Sequence, residues 1–134
     1  PAFVTYGDNN RTQMIRTAGP GHFEDRTVSA AANPYLALAA YLAAGMDGIA
    51  NKIDPGDPNL GNMYERPLEE IRARGIRILP QSLWEALAEL RGDEVIKSAL
   101  GVIADDFIEM KTREWETYDQ QVTSWELDEY LTYF

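Results

Sequence analysis

Cysteine is missing from this 134-residue chain, and histidine occurs once. No disulfide, thiolate metal centre or thiol nucleophile is therefore available, a composition that suits a cytosolic protein. Basic residues are scarce: 12 Lys plus Arg stand against 22 Asp plus Glu, a formal charge of −10. That balance opposes binding to phosphate backbones, so nucleic acid is not an expected partner. Long hydrophobic runs are missing too. A bilayer needs about 20 predominantly apolar residues, and the most apolar stretch here is shorter and rich in alanine, so no membrane partner is expected. No signal peptide and no internal repeat is visible. What remains is 45% hydrophobic, enough to build a core in one small domain. The chain begins at Pro1 rather than at a methionine and is read as a piece of a longer protein.

The stretch that organises the chain runs from His22 to Met46. Alternation over a short strand puts His22, Glu24 and Arg26 on one face and Phe23, Asp25 and Thr27 on the other. Asn33 is an N-cap, and Pro34 fits the first helical position, where its missing N–H costs nothing. From Tyr35 to Met46 every side chain is Ala, Leu, Tyr, Met or Gly. A helix with no polar stripe is expected to be buried on every side. The strand would thus hold a carboxylate between two potential cations against a rigid support.

Residues 2–6 alternate loosely as a strand, and Gly7-Asp8-Asn9-Asn10 is turn chemistry. Residues 11–17 read as a second strand, and Ala18-Gly19-Pro20-Gly21 turns it into an antiparallel hairpin with 22–28. Arg11 and Arg16 have opposite parity, so either a bulge intervenes or only one of them serves the same site as Glu24. Asp47-Gly48 ends the helical pattern, and residues 51–67, rich in Pro, Gly, Asn and Asp, form a long loop. The basic cluster Arg72, Arg74 and Arg77 beside Glu69 and Glu70 reads as a solvated surface helix or turn. Ser82 and Glu85 form a capping box for a helix that stops near Gly92. Asp93 caps a second helix, closed by Gly101, with Val95, Ile96, Ala99 and Leu100 on its apolar face. A third helix over 105–121 carries Phe107, Ile108, Lys111, Trp115, Tyr118 and Val122 along one side, with Lys111 snorkelling. The aromatic end, 125–134, suggests docking onto another surface.

The run Ala31-Ala32-Asn33-Pro34-Tyr35, preceded by a strand carrying Glu24 and Arg26 two residues apart, resembles the C-terminal catalytic region of glutamine synthetases. Asn10-Arg11 and Ile15-Arg16 are similar to the family's Asn-Arg and Ile-Arg pairs, and Asn62-Met63-Tyr64 falls where the family has an Asn-Leu-Tyr loop. The resemblance covers essentially the whole chain. It implies an α+β fold: a short antiparallel β-hairpin at the N-terminus, then a buried helix and several C-terminal helices. The expected division is active-site strands over 1–29, the buried helix over 30–48, a loop region over 49–80, helices over 81–122 and an assembly tail over 123–134.

By the same resemblance the longer protein is an ATP-dependent ligase joining glutamate to ammonia through a γ-glutamyl phosphate. Glu24 would bind Mg²⁺ or Mn²⁺, Arg26 the carboxylate of glutamate and Arg16 the nucleotide phosphates, while Arg11 would steady the transferring phosphoryl group. The chemistry suits these roles, because carboxylate is a hard ligand and arginine offers a permanently charged planar fork. Without the flanking motifs, Glu24 and Arg26 would read as a solvated strand face, whose ion pairs contribute little. His22 stands where the family usually has an arginine near phosphate and is expected to hydrogen-bond behind the site. Tyr64 matches a tyrosine that is adenylylated in some bacterial members and is a candidate modification site. Family members assemble as homo-oligomeric stacked rings in the cytoplasm. With only one metal ligand in hand, residues 1–134 alone are expected to be inactive.

Three departures stand out: a shortened hairpin turn, His22 itself, and Thr27-Val28-Ser29-Ala30 in place of Phe-Pro-Asp-Pro. They resemble a divergent type III-like bacterial branch that includes γ-glutamylmethylamide synthetases, so methylamine is the alternative acceptor. A non-catalytic acidic assembly domain is the alternative of another class.

Overall fold

The computed structural model describes residues 2–133 and divides the chain into two compact units, Pro1–Pro80 and Gln81–Phe134. In the first unit a three-stranded sheet has the order β1 (Tyr6–Gly7), β2 (Ile15–Gly19), β3 (His22–Asp25). The expected hairpin is present, since β2 and β3 pair antiparallel with Arg16 opposite Glu24 and Gly19 opposite His22. Its turn is Pro20-Gly21, and Gly21 takes the left-handed conformation that only glycine adopts without strain. The strand before it is shorter than 11–17, because β2 begins at Ile15 and Arg11 lies in a turn. Asn10 supplies the reason: its Oδ1 accepts both the N–H and the hydroxyl of Thr12 at 2.8 Å. That local bond competes with a strand ladder.

Residues 2–6 do not form a continuous strand. Phe3 bridges antiparallel to Ile78, Val4 donates to the Arg77 carbonyl at 2.9 Å and Leu79 donates to that of Ala2 at 2.8 Å. The chain then swings over to β1, which pairs parallel with β2. Residues 49–80 are accordingly more than a loop. They hold a 3-10 turn, Met63–Glu65, and helix α2, Leu68–Ala73. Met63 and Ile71 are buried with Phe3, and Ala2 and Ile76 pack against that cluster. Each such buried side chain contributes roughly 1.5–3 kcal/mol. Arg72, Arg74 and Arg77 are exposed, as the charge pattern predicts.

Helix α1 spans Pro34–Ala50, capped by Asn33, whose Oδ1 accepts the N–H groups of Tyr35 and Leu36 at 3.0 and 3.3 Å. Two expectations about it need correction. It continues past Gly48, since one glycine costs about 1 kcal/mol against alanine, too little to end a helix. Asn51 closes it, with Nδ2 donating to Asp47 Oδ1 at 2.8 Å. The helix is also not buried: none of its residues is, and Tyr35 and Ile49 are 83% and 74% exposed. Composition states what surface a helix must cover, but among the described residues Phe23, stacked on Tyr41 at 6.3 Å, is the ring that meets it.

The second unit is helical: α3 (Leu83–Gly92), α4 (Glu94–Leu100), α5 (Ile103–Asp119) and α6 (Ser124–Tyr130). Ser82 Oγ accepts the Glu85 N–H at 3.2 Å, and the Glu85 carboxylate reaches back to the Gln81 N–H at 2.7 Å. Asp93 caps α4 through the Ile96 N–H at 3.0 Å, and Gly101 closes it with φ of 59°. Leu87 and Ala104 are buried, and Arg91 ties α3 to α5 by a 2.6 Å bond to Thr112 while its guanidinium lies 5.3 Å from the Trp84 ring. Helix α5 starts and ends two residues earlier than 105–121, which leaves Val122 outside it. Lys111 snorkels as expected, reaching Glu114 at 2.6 Å.

Candidate functional site

The hairpin register decides which charges meet. Because Arg16 stands opposite Glu24 across β2 and β3, their side chains share one face, and Arg16 Nη1 lies 2.8 Å from Glu24 Oε2. Strand alternation carries Arg26 to the same face, where its Nη1 lies 3.7 Å from that oxygen. The parity question is thereby resolved: Arg16 shares the site with Glu24. Asn9 fixes Arg16 from the other side, its Oδ1 accepting the Arg16 Nε hydrogen at 2.6 Å. This contact was hidden in the sequence, where Asn9 reads only as turn chemistry.

Arg26 is anchored through its backbone, whose N–H donates to the Met14 carbonyl at 3.0 Å. Its side chain forms no hydrogen bond among the described residues, and Nε is buried without a partner. A buried donor left unsatisfied costs free energy comparable to a lost hydrogen bond, so this guanidinium is set up for an acceptor from elsewhere. Glu24 is nearly half exposed, and both arginines approach Oε2, while Oε1 accepts no hydrogen bond among the described residues.

Arg11 does not join this cluster. It is exposed on the turn before β2, and its side chain makes no ion pair or hydrogen bond among the described residues. His22 sits at the turn end of the hairpin, against Gly19, where an added methyl would meet its ring at 3.0 Å. Its expected hydrogen bond to the site is not formed among the described residues. Tyr64 is more than half exposed on the 3-10 turn, with its ring centroid 6.3 Å from that of Phe3. Asn62 fixes the turn, accepting the Tyr64 N–H at 3.0 Å and donating to Glu65 at 2.7 Å.

On the back of the sheet, burial first and Asp25 second raise the Tyr41 phenol above its ordinary pKa, so it stays neutral. Among the described residues no three His, Cys, Asp or Glu side chains converge to hold a metal. Among the described residues, Glu24 is the one carboxylate in the Arg16–Arg26 cluster, and a single carboxylate is fewer oxygen ligands than a divalent metal takes. No described helix is long and apolar enough to cross a membrane.

The glutamine synthetase catalytic-domain family matches residues 1–130. A glutamate–methylamine ligase of Methyloversatilis universalis is 49% identical over the whole chain, and a glutamine synthetase of Staphylococcus aureus is 44% identical over 98% of it. Among solved structures, a GmaS/ADP complex superposes with a TM-score of 0.90 at 42% identity over 98% of the chain, and a ligand-free GmaS with 0.83 at 40%. The chain spans 30% of the length of each of these proteins. The α+β arrangement of hairpin, long helix and helical C-terminal unit is thus that of the C-terminal part of a known catalytic domain, and the chain belongs to the glutamine synthetase family.

Proposed function

We propose that the longer protein to which this chain contributes is a cytoplasmic, ATP- and metal-dependent ligase that joins glutamate to ammonia. The observation that carries this reading is the Arg16–Glu24–Arg26 cluster, at 2.8 and 3.7 Å, in a chain of this family. In the reaction the γ-carboxylate of glutamate attacks the γ-phosphorus of ATP and ADP leaves. Ammonia then displaces phosphate from the γ-glutamyl phosphate, losing a proton. Phosphoryl transfer depends mainly on positioning and charge neutralisation.

Each residue has one task. Arg26, with its donors unspent, takes the carboxylate of glutamate in a bidentate fork. Arg16, held by Asn9 and Glu24, presents its remaining N–H groups to the nucleotide phosphates, and the GmaS/ADP complex among the relatives supports a nucleotide as a ligand of the longer protein. Arg11 steadies the phosphoryl group in transfer. Glu24 supplies one oxygen ligand, and the bound Mg²⁺ or Mn²⁺ would offset phosphate charge. Tyr64, exposed on its turn, is the candidate for covalent modification. The apolar end of the chain, with Trp125, Leu127, Tyr130, Leu131 and Tyr133 all exposed, is the assembly surface of a homo-oligomer of stacked rings. Phe134, expected to join it, lies outside the described residues.

A second reading takes methylamine as the acceptor. It is favoured by the 49% identity to the methylamine ligase against 44% to the glutamine synthetase. Phosphate release by the full-length protein with glutamate, ATP and Mg²⁺ tests both. Stimulation by ammonia supports the first reading and stimulation by methylamine the second. Release stimulated by neither amine overturns the ligase assignment and leaves the assembly domain.

A further inference from the structure

Arg11 lies between residues that all bind one distant loop. Asn10 Nδ2 donates to the Gly61 carbonyl. Thr12 Oγ1 accepts the Met63 N–H at 3.0 Å. Gln13 is fully buried, and its Nε2 donates to the Asn59 carbonyl at 2.7 Å and the Gly61 carbonyl at 3.4 Å. Two carbonyl acceptors on the same side settle which end of the amide faces the loop. The Gln13 Oε1 and Asn59 Oδ1 atoms are buried without partners. Gly7 permits the close approach, since a methyl there would stand 2.2 Å from the Asn59 carbonyl oxygen and 3.3 Å from Gln13 Cδ.

We propose that Gln13 is a positioning residue, which clamps loop 59–63 onto the Arg11 turn and so fixes where Arg11 presents its guanidinium. The inference rests on the reading that Arg11 steadies the transferring phosphoryl group. Arg11 has no side-chain bond of its own among the described residues, so its placement follows from its neighbours' backbone. Gln13 supplies the only fully buried side chain among the three that grip the loop. A displacement of about 1 Å at a reacting group costs on the order of 100-fold in rate. The clamp also places the Tyr64 turn and the Arg11 turn in one hydrogen-bonded assembly, so a disturbance of either reaches the other.

The test uses the full-length enzyme with Gln13→Met, which fills a similar volume and carries no N–H. The turnover number should fall roughly 10–100-fold while the KM for glutamate stays within about twofold, because Arg26 sits on the hairpin and not on the clamp. Arg11→Ala should fall at least as far, and the double variant should be no slower than Arg11→Ala alone, since the clamp acts through Arg11. Multiplicative losses in the double variant, an unchanged turnover in Gln13→Met, or a raised KM with intact turnover each overturn the proposal. Full turnover in Arg11→Ala overturns the underlying role of Arg11, a result read from that single variant independently of Gln13. If Gln13→Met fails to fold, Thr12→Val, which removes the hydroxyl that accepts the Met63 N–H and donates to Asn10 Oδ1, should show the same split more weakly. An unchanged turnover there overturns the clamp.

Discussion

Replacing Glu24 by glutamine in the full-length enzyme separates a structural ion pair from a functional ligand. The change preserves volume and removes one charge, and the new amide oxygen can still accept the Arg16 Nη1 hydrogen now at 2.8 Å. At that separation a bare pair is worth about 1.5–6 kcal/mol, depending on the effective dielectric. The Glu24 side chain is 45% exposed, however, and its partners 21% and 23%. Solvent screening of that order brings the net value of such a pair to about 0.2–1 kcal/mol. Two pairs thus cost about 2 kcal/mol at most, a shift of up to about 8 °C in Tm. The catalytic loss should be far larger. Removing a partner that merely orients a metal ligand costs about 10–100-fold, so losing a ligand should cost 100-fold or more in kcat/KM, or about 2.7 kcal/mol. Turnover, Tm and the Mg²⁺ dependence of ADP binding are measured side by side. Near-native kinetics, or a loss of activity that simply follows a fall in Tm beyond about 10 °C, would refute the ligand role.

Arg26→Lys replaces a fork by a point charge and should raise the KM for glutamate about tenfold with turnover nearly kept; an unchanged KM in steady-state kinetics removes Arg26 from the substrate. Gly7→Ala forces a methyl to within 2.2 Å of the Asn59 carbonyl oxygen, so chemical denaturation should show about 1–3 kcal/mol of destabilisation, and a neutral result would show that the loop yields freely. In the capping box of α6 the Glu126 carboxylate is held below its ordinary pKa, first by the Thr123 N–H and then by the Thr123 hydroxyl. A depressed folded-state value gives a contribution that is present above the ordinary carboxylate range and lost as pH falls through the depressed value. Amide protection in α6, relative to the intrinsic exchange rate at each pH, should therefore fall only in acid, and protection that is flat with pH contradicts the box. Deleting residues 124–134 from the full-length enzyme should divide stacked rings into single rings with secondary structure kept, and an unchanged mass by light scattering rules out that role.

Local rules were legible wherever a side chain bonds its own neighbours. Asn33 with Pro34, Ser82, Asp93 and Gly101 all mark helix ends that the structure places within a residue. The capping box at Thr123 and Glu126 carries the same signal and starts α6, yet the aromatic content of the tail draws the eye away from it. Failures occur where distant partners decide. Strand β1 is two residues long because Ala2, Phe3 and Val4 engage the 77–79 segment, and no periodicity in residues 2–6 announces a partner 75 positions away. The 51–67 composition is turn-forming, as read, but Met63 within it is wholly buried because α2 brings Ile71 over it.

The same division runs through the site. Period-two alternation placed Glu24 and Arg26 on one face with His22, but the sequence left open which arginine of the preceding strand joins them, and the antiparallel register of the structure brings in Arg16. Asn9 and Gln13 were not readable in the sequence, because each owes its role to a contact that alternation does not encode. Asn9 reaches Arg16 seven residues on, and Gln13 reaches Asn59 across 46. Family motifs point to residues that would touch substrate and pass over those that hold them still. The charged hairpin face, with an unsatisfied arginine and a half-exposed carboxylate, and the exposed α1 are both complete in their local geometry among the described residues. The chain spans 30% of its relatives' length, and among the described residues nothing accepts from Arg26 Nε and no residue of α1 is buried.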